Sequence, residues 1–432
     1  MSILFQNVTA VLMDEARTVL RDGYVAVKGT EITYVGQQRP GGSFNKVINC
    51  EGKVMMPGFV NAHTHVPMTL MRGFGGGCDL HTWLNEYIFP TEAKWDDRSI
   101  RCATALGLAE MIASGVTCIA DMYDHCNAIC EEVVSAGLSA NIARGTTLFA
   151  DELDPDTFPG CVEQRELAEQ WHGRNDGQIL VDASIHGEYT SNPKLWDWTV
   201  QFAKDKNLGI HLHLSETKSE HEECIARNGL TPAATFEKYG VFDVRTIAAH
   251  CVFTTPEDWE ILARHGVSAI HNPMSNLKLG SGIAPTAAMR RAGVNVALGT
   301  DGVSSNNATD LFADMKLAAL LAAGSTNDPM AMTAWEALEM ATVRGAQALG
   351  RNTGRIAAGC TADLILIDFT KPNLIPCHDV AENLVYSAHG ADVCLTMARG
   401  KILYKDRQWL TIDLERINRE IERHAMPRLF GR

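Results

Sequence analysis

Apolar residues follow two rhythms along this chain. From residue 55 to about 302, short strand-like runs alternate with stretches whose apolar residues recur at helical spacing. The runs are "MMPGFVNAHTH", "GVTCIADM", "SANIARGTTLF", "ILVDASIHG", "LGIHLHLSE", "VRTIAAHC", "VSAIHNP" and "VNVALGTDG". Between them lie amphipathic stretches such as "IRCATALGLAEMIASG", "NPKLWDWTVQFAKDKN" and "PEDWEILARHG". Several of these stop at Gly, which suits a helix C-terminus. Eight strand–helix repeats predict an α/β fold centred on a (β/α)8 barrel. A doubly wound open sheet is the rival, but no G-x-G-x-x-G follows the first strand.

The ends read differently. Residues 1–54 and the chain from about 353 carry short strands with turns, among them "GYVAVKGTEITYVG" and "DVCLTMARGKILYKDRQWL". Neither flank is large enough for a core of its own. The expectation is therefore a barrel over 55–352 and one small β-sandwich domain built from 1–54 together with 353–432. The tail "LERINREIERHAMP" predicts a closing helix.

Composition narrows the partners. With 46% hydrophobic and 21% charged residues the chain is globular in type, and a net charge of −14 argues against nucleic acid or an anionic membrane surface. No apolar run is long enough to span a bilayer. The start "MSILFQNVTAV" lacks the basic and apolar regions of a signal peptide. Twelve cysteines lie scattered without paired spacing, which suggests a reducing, cytoplasmic home. Cys126 and Cys130 are the closest pair, read as a helix-face coincidence rather than a metal clip. The expected partners are a small heterocyclic substrate and further copies of the chain.

Chemistry concentrates at strand ends, where barrels of this kind carry their active sites. His63 and His65 end the first strand, Arg144 the third and His186 the fourth. His211, His213 and Glu216 stand on the fifth, His250 on the sixth, His271 on the seventh and Asp301 on the eighth. Two positions apart on one strand, His63 and His65 face the same side. An isolated H-x-H is as readily two satisfied rim histidines, but His213 and Asp301 on other strand ends change the odds. Three imidazoles and a carboxylate suit Zn²⁺ or another first-row divalent ion, with Fe²⁺, Mn²⁺ or Ni²⁺ as alternatives. His211 lies one step deeper and reads as a supporting residue. Glu216 can take a proton from a metal-activated water and deliver it to a substrate nitrogen. Its competing reading is helix capping, since "SETKSEHEE" opens a helix.

The segments "PGFVNAHTH", "HLSET", "AAHC", "HNPMSNLKLGSGIAP", "LGTDG" and "TADLILID" together resemble the amidohydrolase superfamily, in its aminohydrolase branch. The likeness is greatest to its deaminases of 5'-methylthioadenosine and S-adenosylhomocysteine, with triazine hydrolases nearby. The resemblance implies metal ligands at His63, His65, His213 and Asp301 and a proton shuttle at Glu216. It also implies a catalytic imidazole at His250, which joins Glu216 and Asp301 in the catalytic group. No lysine ends the fourth strand to form a bridging carbamate, so one metal is expected. For substrate, it implies a ribose-hydroxyl acceptor at Glu92, a purine contact at His186 and a tail contact at Arg144, with Glu216 on the ring. Without the family, Glu92 would read as a surface glutamate before a helix.

Two stretches depart from the family pattern. Around the fourth-strand histidine the relatives carry prolines, whereas here Ile185-His186-Gly187-Glu188-Tyr189 adds a carboxylate. Where users of S-adenosylhomocysteine carry a second arginine, "ADELDPDTFPG" places Asp151, Glu152, Asp154 and Asp156, with Arg165 further on. An acidic loop over the tail would disfavour an anionic substituent and favour an uncharged or cationic one. The leading expectation is hydrolytic deamination of an adenine nucleoside derivative. The alternatives are the same chemistry on guanine, a pterin, a pyrimidine or an s-triazine, and a metal-free barrel acting as a scaffold.

Overall fold

The computed structural model describes residues 1–78 and 80–431. The N-terminal flank forms β1 (Ser2–Val11), β2 (Val19–Lys28), β3 (Glu31–Gly36), β4 (Lys46–Asn49) and β5 (Lys53–Pro57). The central strands are β6 (Phe59–His65), β7 (Val116–Tyr123), β8 (Ser139–Arg144), β9 (Ile179–Ser184), β10 (Ile210–Leu214) and β11 (Thr246–His250). They continue with β12 (Ser268–His271), β13 (Asn295–Leu298) and β14 (Asp301–Gly302). The C-terminal flank adds β15 (Leu364–Asp368), β16 (Val393–Ala398), β17 (Lys401–Lys405) and β18 (Gln408–Trp409).

All central strands pair in parallel, in the order β13-β12-β11-β10-β9-β8-β7-β6-β14. Because β13 and β14 are two pieces of the eighth run, the β14–β6 ladder closes the ring into the expected (β/α)8 barrel. The break has a local cause. A Cβ on Gly299 would stand 2.5 Å from Asn272 Oδ1 and 2.9 Å from the His63 backbone nitrogen, so only glycine lets the chain pass there. Asn61 spans the gap: its amide donates to Thr300 Oγ1 at 2.8 Å and accepts from Thr300 N at 2.9 Å. Strands covered on both faces have no polar side to show, and every residue of β7 is buried.

The helical stretches form where the pattern places them, and their ends show why. Pro193–Lys206 starts at Asn192, whose side chain accepts from Lys194 N and Leu195 N, and stops at left-handed Asn207. Pro256–His265 has a Thr255/Asp258 capping box and stops at left-handed Gly266. No described helix is long and apolar enough to cross a membrane.

The flanks form one mixed sheet, β18-β17-β16-β15-β5-β1-β2-β3, with β4 on β1. Ile3, Phe5, Val25, Val27, Ile32 and Met55 from the N-terminal half share a core with Leu364, Leu366, Leu395 and Met397 from the C-terminal half. The apolar run that begins at Met55 divides at Gly58. Lys53–Pro57 pairs with β15 in the flank sheet, so Met55–Pro57 do not belong to the first barrel strand, which is Phe59–His65 alone. The tail helix Leu414–Glu420 lies against the barrel helix Asp97–Ala113, fixed by Arg98–Glu420 at 2.6 Å.

Candidate active site

The site lies at the C-terminal mouth of the barrel, where the backbone is held in unusual shapes. Ser215 (φ 48°), His250 (φ 75°), Cys251 (φ 50°) and Asp301 (φ 61°) all take the left-handed conformation, which non-glycine residues avoid. Each costs on the order of 1–3 kcal/mol, and such strain gathers where a side chain must be aimed. At β11 and β14 the turn redirects His250 and Asp301 toward the histidines of β6 and β10.

Hydrogen bonds at the back of each ring fix what its front presents. His65 Nδ1 lies 2.5 Å from Met122 O, and His213 Nδ1 lies 2.6 Å from His186 O. A carbonyl only accepts, so each Nδ1 donates and each Nε2 keeps a lone pair for the centre. His63 Nδ1 is 2.8 Å from His211 Nε2, which places His211 behind His63 rather than at the centre. In front, Asp301 Oδ1 stands 3.3 Å from His65 Nε2 and 3.5 Å from His63 Nε2, and His213 Nε2 is 3.4 Å from His65 Nε2. His63 Nε2 is buried with no hydrogen-bond partner.

Protonation favours the same use. Burial holds His63 down to about 3 and His213 well below its usual value. Burial alone would raise Asp301, but the nearby imidazoles of His63, His250 and His65 hold it well below the carboxylate range. A set of lone pairs and a carboxylate, buried and converging, is what a divalent cation needs. His63, His65 and His213 each offer an atom within 4.8 Å of the others, as do His63, His250 and Asp301.

Glu216 faces this centre from beyond β10. Its Oε2 is 3.7 Å from His250 Nε2, and Ser281 Oγ donates to its Oε1 at 3.3 Å. Burial pushes its carboxyl up, against the pull of His250. The capping work at this helix start is done by Thr217 and Glu220. The Glu220 carboxylate accepts from Ser215 N at 2.8 Å and Glu216 N at 2.7 Å, which leaves the Glu216 side chain free of it.

A cavity of about 260 Å³ opens over these groups, walled by Trp83, Ile88, Phe89, Tyr189 and Leu279. Glu92, Arg144 and His186 all line it. Glu92 ends the short helix Phe89–Glu92 and accepts from Tyr123 Oη at 2.6 Å; burial lifts its carboxyl to about 7. His186 Nδ1 sits 2.9 Å from Thr190 Oγ1, and burial lowers its ring to about 4. Arg144 is already paired, with Asp124 at 2.6 Å and Glu163 at 2.5 Å. A second chamber of about 650 Å³ adjoins the first, sharing Leu84, Phe89, Tyr189 and Leu279 and adding Phe149 and Phe253. His271 is buried at the end of β12 and lines neither.

The acidic loop is not where its charge pattern suggests. Asp151, Glu152, Asp154 and Asp156 are all exposed, and none lines either chamber. Asn192 holds the loop onto the neighbouring helix by donating to Ala150 O at 2.7 Å. Glu152 pairs with Lys194 at 2.5 Å, Asp154 accepts from Asp156 N and Thr157, and Asp156 pairs with Arg165 at 3.5 Å. The carboxylates of this loop therefore do not face the substrate cavity, contrary to the expectation from their charge, and Arg165 is occupied outside it. Glu188 likewise turns away, accepting from Arg227 at 2.6 Å and Asn228 at 3.0 Å at the end of the helix Lys218–Asn228. Sequence reasoning passed over Tyr123 and Ser281. Tyr123 ends the second barrel strand, and that position was the available signal; nothing in the pattern singles out Ser281.

Residues 54–403 match the family model described as "Amidohydrolase family". A 5-methylthioadenosine/S-adenosylhomocysteine deaminase from Thermoanaerobacter pseudethanolicus is 37% identical, over 98% of this chain and 99% of its own. A 5'-deoxyadenosine deaminase from Methanosarcina acetivorans is 38% identical, over 100% of this chain and 99% of its own. The solved structure of an adenosine deaminase from Xanthomonas campestris with bound zinc superposes with a TM-score of 0.94. It is 32% identical and covers 100% of this chain and 99% of its own.

Proposed function

We propose that this chain, which belongs to the amidohydrolase family, is a metal-dependent deaminase of adenine nucleosides that converts them to the inosine analogue and ammonia. The observation that carries the reading is the junction of two things: four converging metal donors and, beside them, a cavity with a carboxylate at Glu216 and another at Glu92. The names of the deaminase relatives support the same substrate class.

His63, His65, His213 and Asp301 would hold one divalent ion, with Zn²⁺ the best match to three imidazoles and a carboxylate. When bound, the ion supplies a hydroxide nucleophile at neutral pH. Glu216 takes the proton of the attacking water and delivers it to ring N1; it then carries the remaining proton of the oxygen added at C6 to the departing amine, which leaves as ammonia. His250 holds the oxygen that adds to C6. His186 borders the ring, and Glu92 accepts from the ribose hydroxyls, its orientation set by Tyr123.

The 5'-substituent is assigned to the second chamber, where Phe89, Phe149, Tyr189 and Phe253 supply aromatic surface. Arg144 is the one arginine or lysine among the described residues lining the inner cavity, and Asp124 and Glu163 already neutralise it. Lys218 lines the second chamber but pairs with Glu222 at 3.5 Å, and together these favour an uncharged tail, as in 5'-methylthioadenosine, over a zwitterionic one. We also propose that the barrel and the paired flanks act as two units, with the boundary expected at 54/55 moved to Gly58 because Met55–Pro57 pair in the flank sheet (barrel 58–352, flanks 1–57 and 353–432), and that the enzyme works in a reducing compartment, since all twelve cysteines are free.

The test is ammonia release across adenosine, 5'-methylthioadenosine, 5'-deoxyadenosine, S-adenosylhomocysteine, guanine, cytosine and s-triazines. The reading expects nucleosides to lead, with the uncharged 5'-substituents first. A free base or triazine turned over faster than every nucleoside would replace it.

A further inference from the structure

Glu216, the proton carrier, and His250, which holds the adding oxygen, approach each other from the ends of neighbouring strands, and one buried residue touches the supports of both. Asn276, in the helix Pro273–Lys278, is fully buried. Its Oδ1 lies 2.8 Å from His250 Nδ1. Its backbone carbonyl accepts from Ser281 N at 2.8 Å and from Gly282 N at 3.4 Å. Ser281 Oγ in turn donates to Glu216 Oε1. Asn276 N donates to Asn272 O at 3.0 Å, which anchors the turn to the end of β12.

With the Asn276 amide turned so that Oδ1 faces the ring, the oxygen only accepts and the His250 proton sits on Nδ1. That leaves Nε2, which is buried without a hydrogen-bond partner, directed at Glu216 and the centre. The competing contact from Asn272 Nδ2 to the same Nδ1 is longer, at 3.4 Å, and would require the opposite tautomer. Asn276 Nδ2 has no partner. A buried amide left so costs on the order of 1–3 kcal/mol, which an apolar residue of similar size would avoid, so stability alone does not account for asparagine here.

We propose that Asn276 is a positioning residue that holds His250 in its Nδ1-protonated form and, through Ser281, keeps Glu216 opposite it. The role rests on the deaminase reading above. With Nδ1 fixed, Nε2 is the one nitrogen able to receive a proton from the nucleophile side or, once protonated, to donate to the oxygen adding to the ring. Without Asn276 the ring is free to take the other tautomer, which presents a fixed N–H to the centre and cannot accept.

Asn276→Ala and Asn276→Asp, each checked for metal content, are compared with the wild type on 5'-methylthioadenosine. The account expects Asn276→Ala to lose about tenfold or more in kcat, on the scale of general acid–base effects, with KM changed by less than about threefold. Asn276→Asp restores an acceptor and is expected to recover activity above Asn276→Ala. A packing role predicts the reverse order, because a buried carboxylate costs more than a small cavity. Near-wild-type kcat in Asn276→Ala, or Asn276→Asp no better than Asn276→Ala, overturns the proposal. Should the variants fail to fold or to hold metal, nitrogen-15 NMR of histidine-labelled, zinc-loaded wild type decides the matter. The proton of neutral His250 on Nδ1 supports the proposal, and on Nε2 refutes it. A wild type that releases no ammonia from any nucleoside defeats the deaminase reading, while the tautomer still tells whether Asn276 sets the ring.

Discussion

Toward the N-terminal ends of the barrel strands, Asp182 accepts from Arg245 and, at 2.9 Å, from Asn141. Arg351 donates to Asn141 Oδ1 at 2.9 Å and to the carbonyls of Gly177 and Ala140. Every charge there has an internal partner. At the mouth, His63 Nε2 and His250 Nε2 are buried without a hydrogen-bond partner, and left-handed residues aim the surrounding side chains inward. Buried polar groups are normally satisfied. One end of the barrel therefore reads as internal support, and the other as a set of groups waiting for a ligand. Asn295 Oδ1, at the start of β13, is also buried without a partner, so an unpaired atom alone does not separate the two ends; the convergence of unpartnered imidazole nitrogens beside a carboxylate does.

The sharpest break between the two ends comes from paired substitutions. His63→Ala should abolish both metal content and ammonia release. Asp182→Asn should lower stability by about 3 kcal/mol, the low end for a broken buried pair because Arg245 is partly exposed, while kcat/KM per folded molecule stays unchanged. Metal analysis, thermal melting and kinetics on both variants check this, and a stable, metal-free, active His63→Ala would erase the contrast.

Within the mouth, Glu216→Gln keeps the shape but cannot carry a proton, so kcat should fall by ~10²-fold or more with metal retained. A near-wild-type rate would remove Glu216 from the chemistry.

Glu92→Ala should cost ribose-bearing substrates ~1.5–3 kcal/mol, about ten- to hundredfold in kcat/KM, and spare free bases. Glu92 also sets a pH limb. Its carboxyl is lifted to about 7, and with Oε1 taken by Tyr123 both oxygens accept together only when it is ionised, so kcat/KM for nucleosides should rise as pH climbs through 7 and level off above it. In Glu92→Gln that limb should disappear; its persistence would assign it to another group.

The smallest effect is expected at the loop. Neutralising Asp151 and Glu152 together should leave the ratio of kcat/KM for 5'-methylthioadenosine to S-adenosylhomocysteine unchanged at low and moderate salt, because both carboxylates face solvent. A shift in that ratio would return the loop to the substrate.

These cases show what a one-dimensional reading can reach. The convergence of His63, His65, His213 and Asp301 was legible because strand periodicity gives direction and a barrel gathers its strand ends in one place. The break at Gly299 was hidden, since the run "VNVALGTDG" reads as one strand until the crowding by Asn272 and His63 is seen. The loop failed for a related reason. Four carboxylates in six residues announce charge, but their direction depends on Asn192, Lys194 and Arg165, which approach from other helices. Glu188 was equally silent until Arg227 and Asn228 stood beside it.

The central claim is that one divalent ion at the mouth drives nucleoside deamination. Its most direct test is to strip the protein with a chelator and titrate Zn²⁺ back while following ammonia release from 5'-methylthioadenosine. The account predicts no release at zero metal, a linear rise and a plateau at one equivalent per chain. Full activity in the stripped protein, or a plateau only at two equivalents, would contradict it.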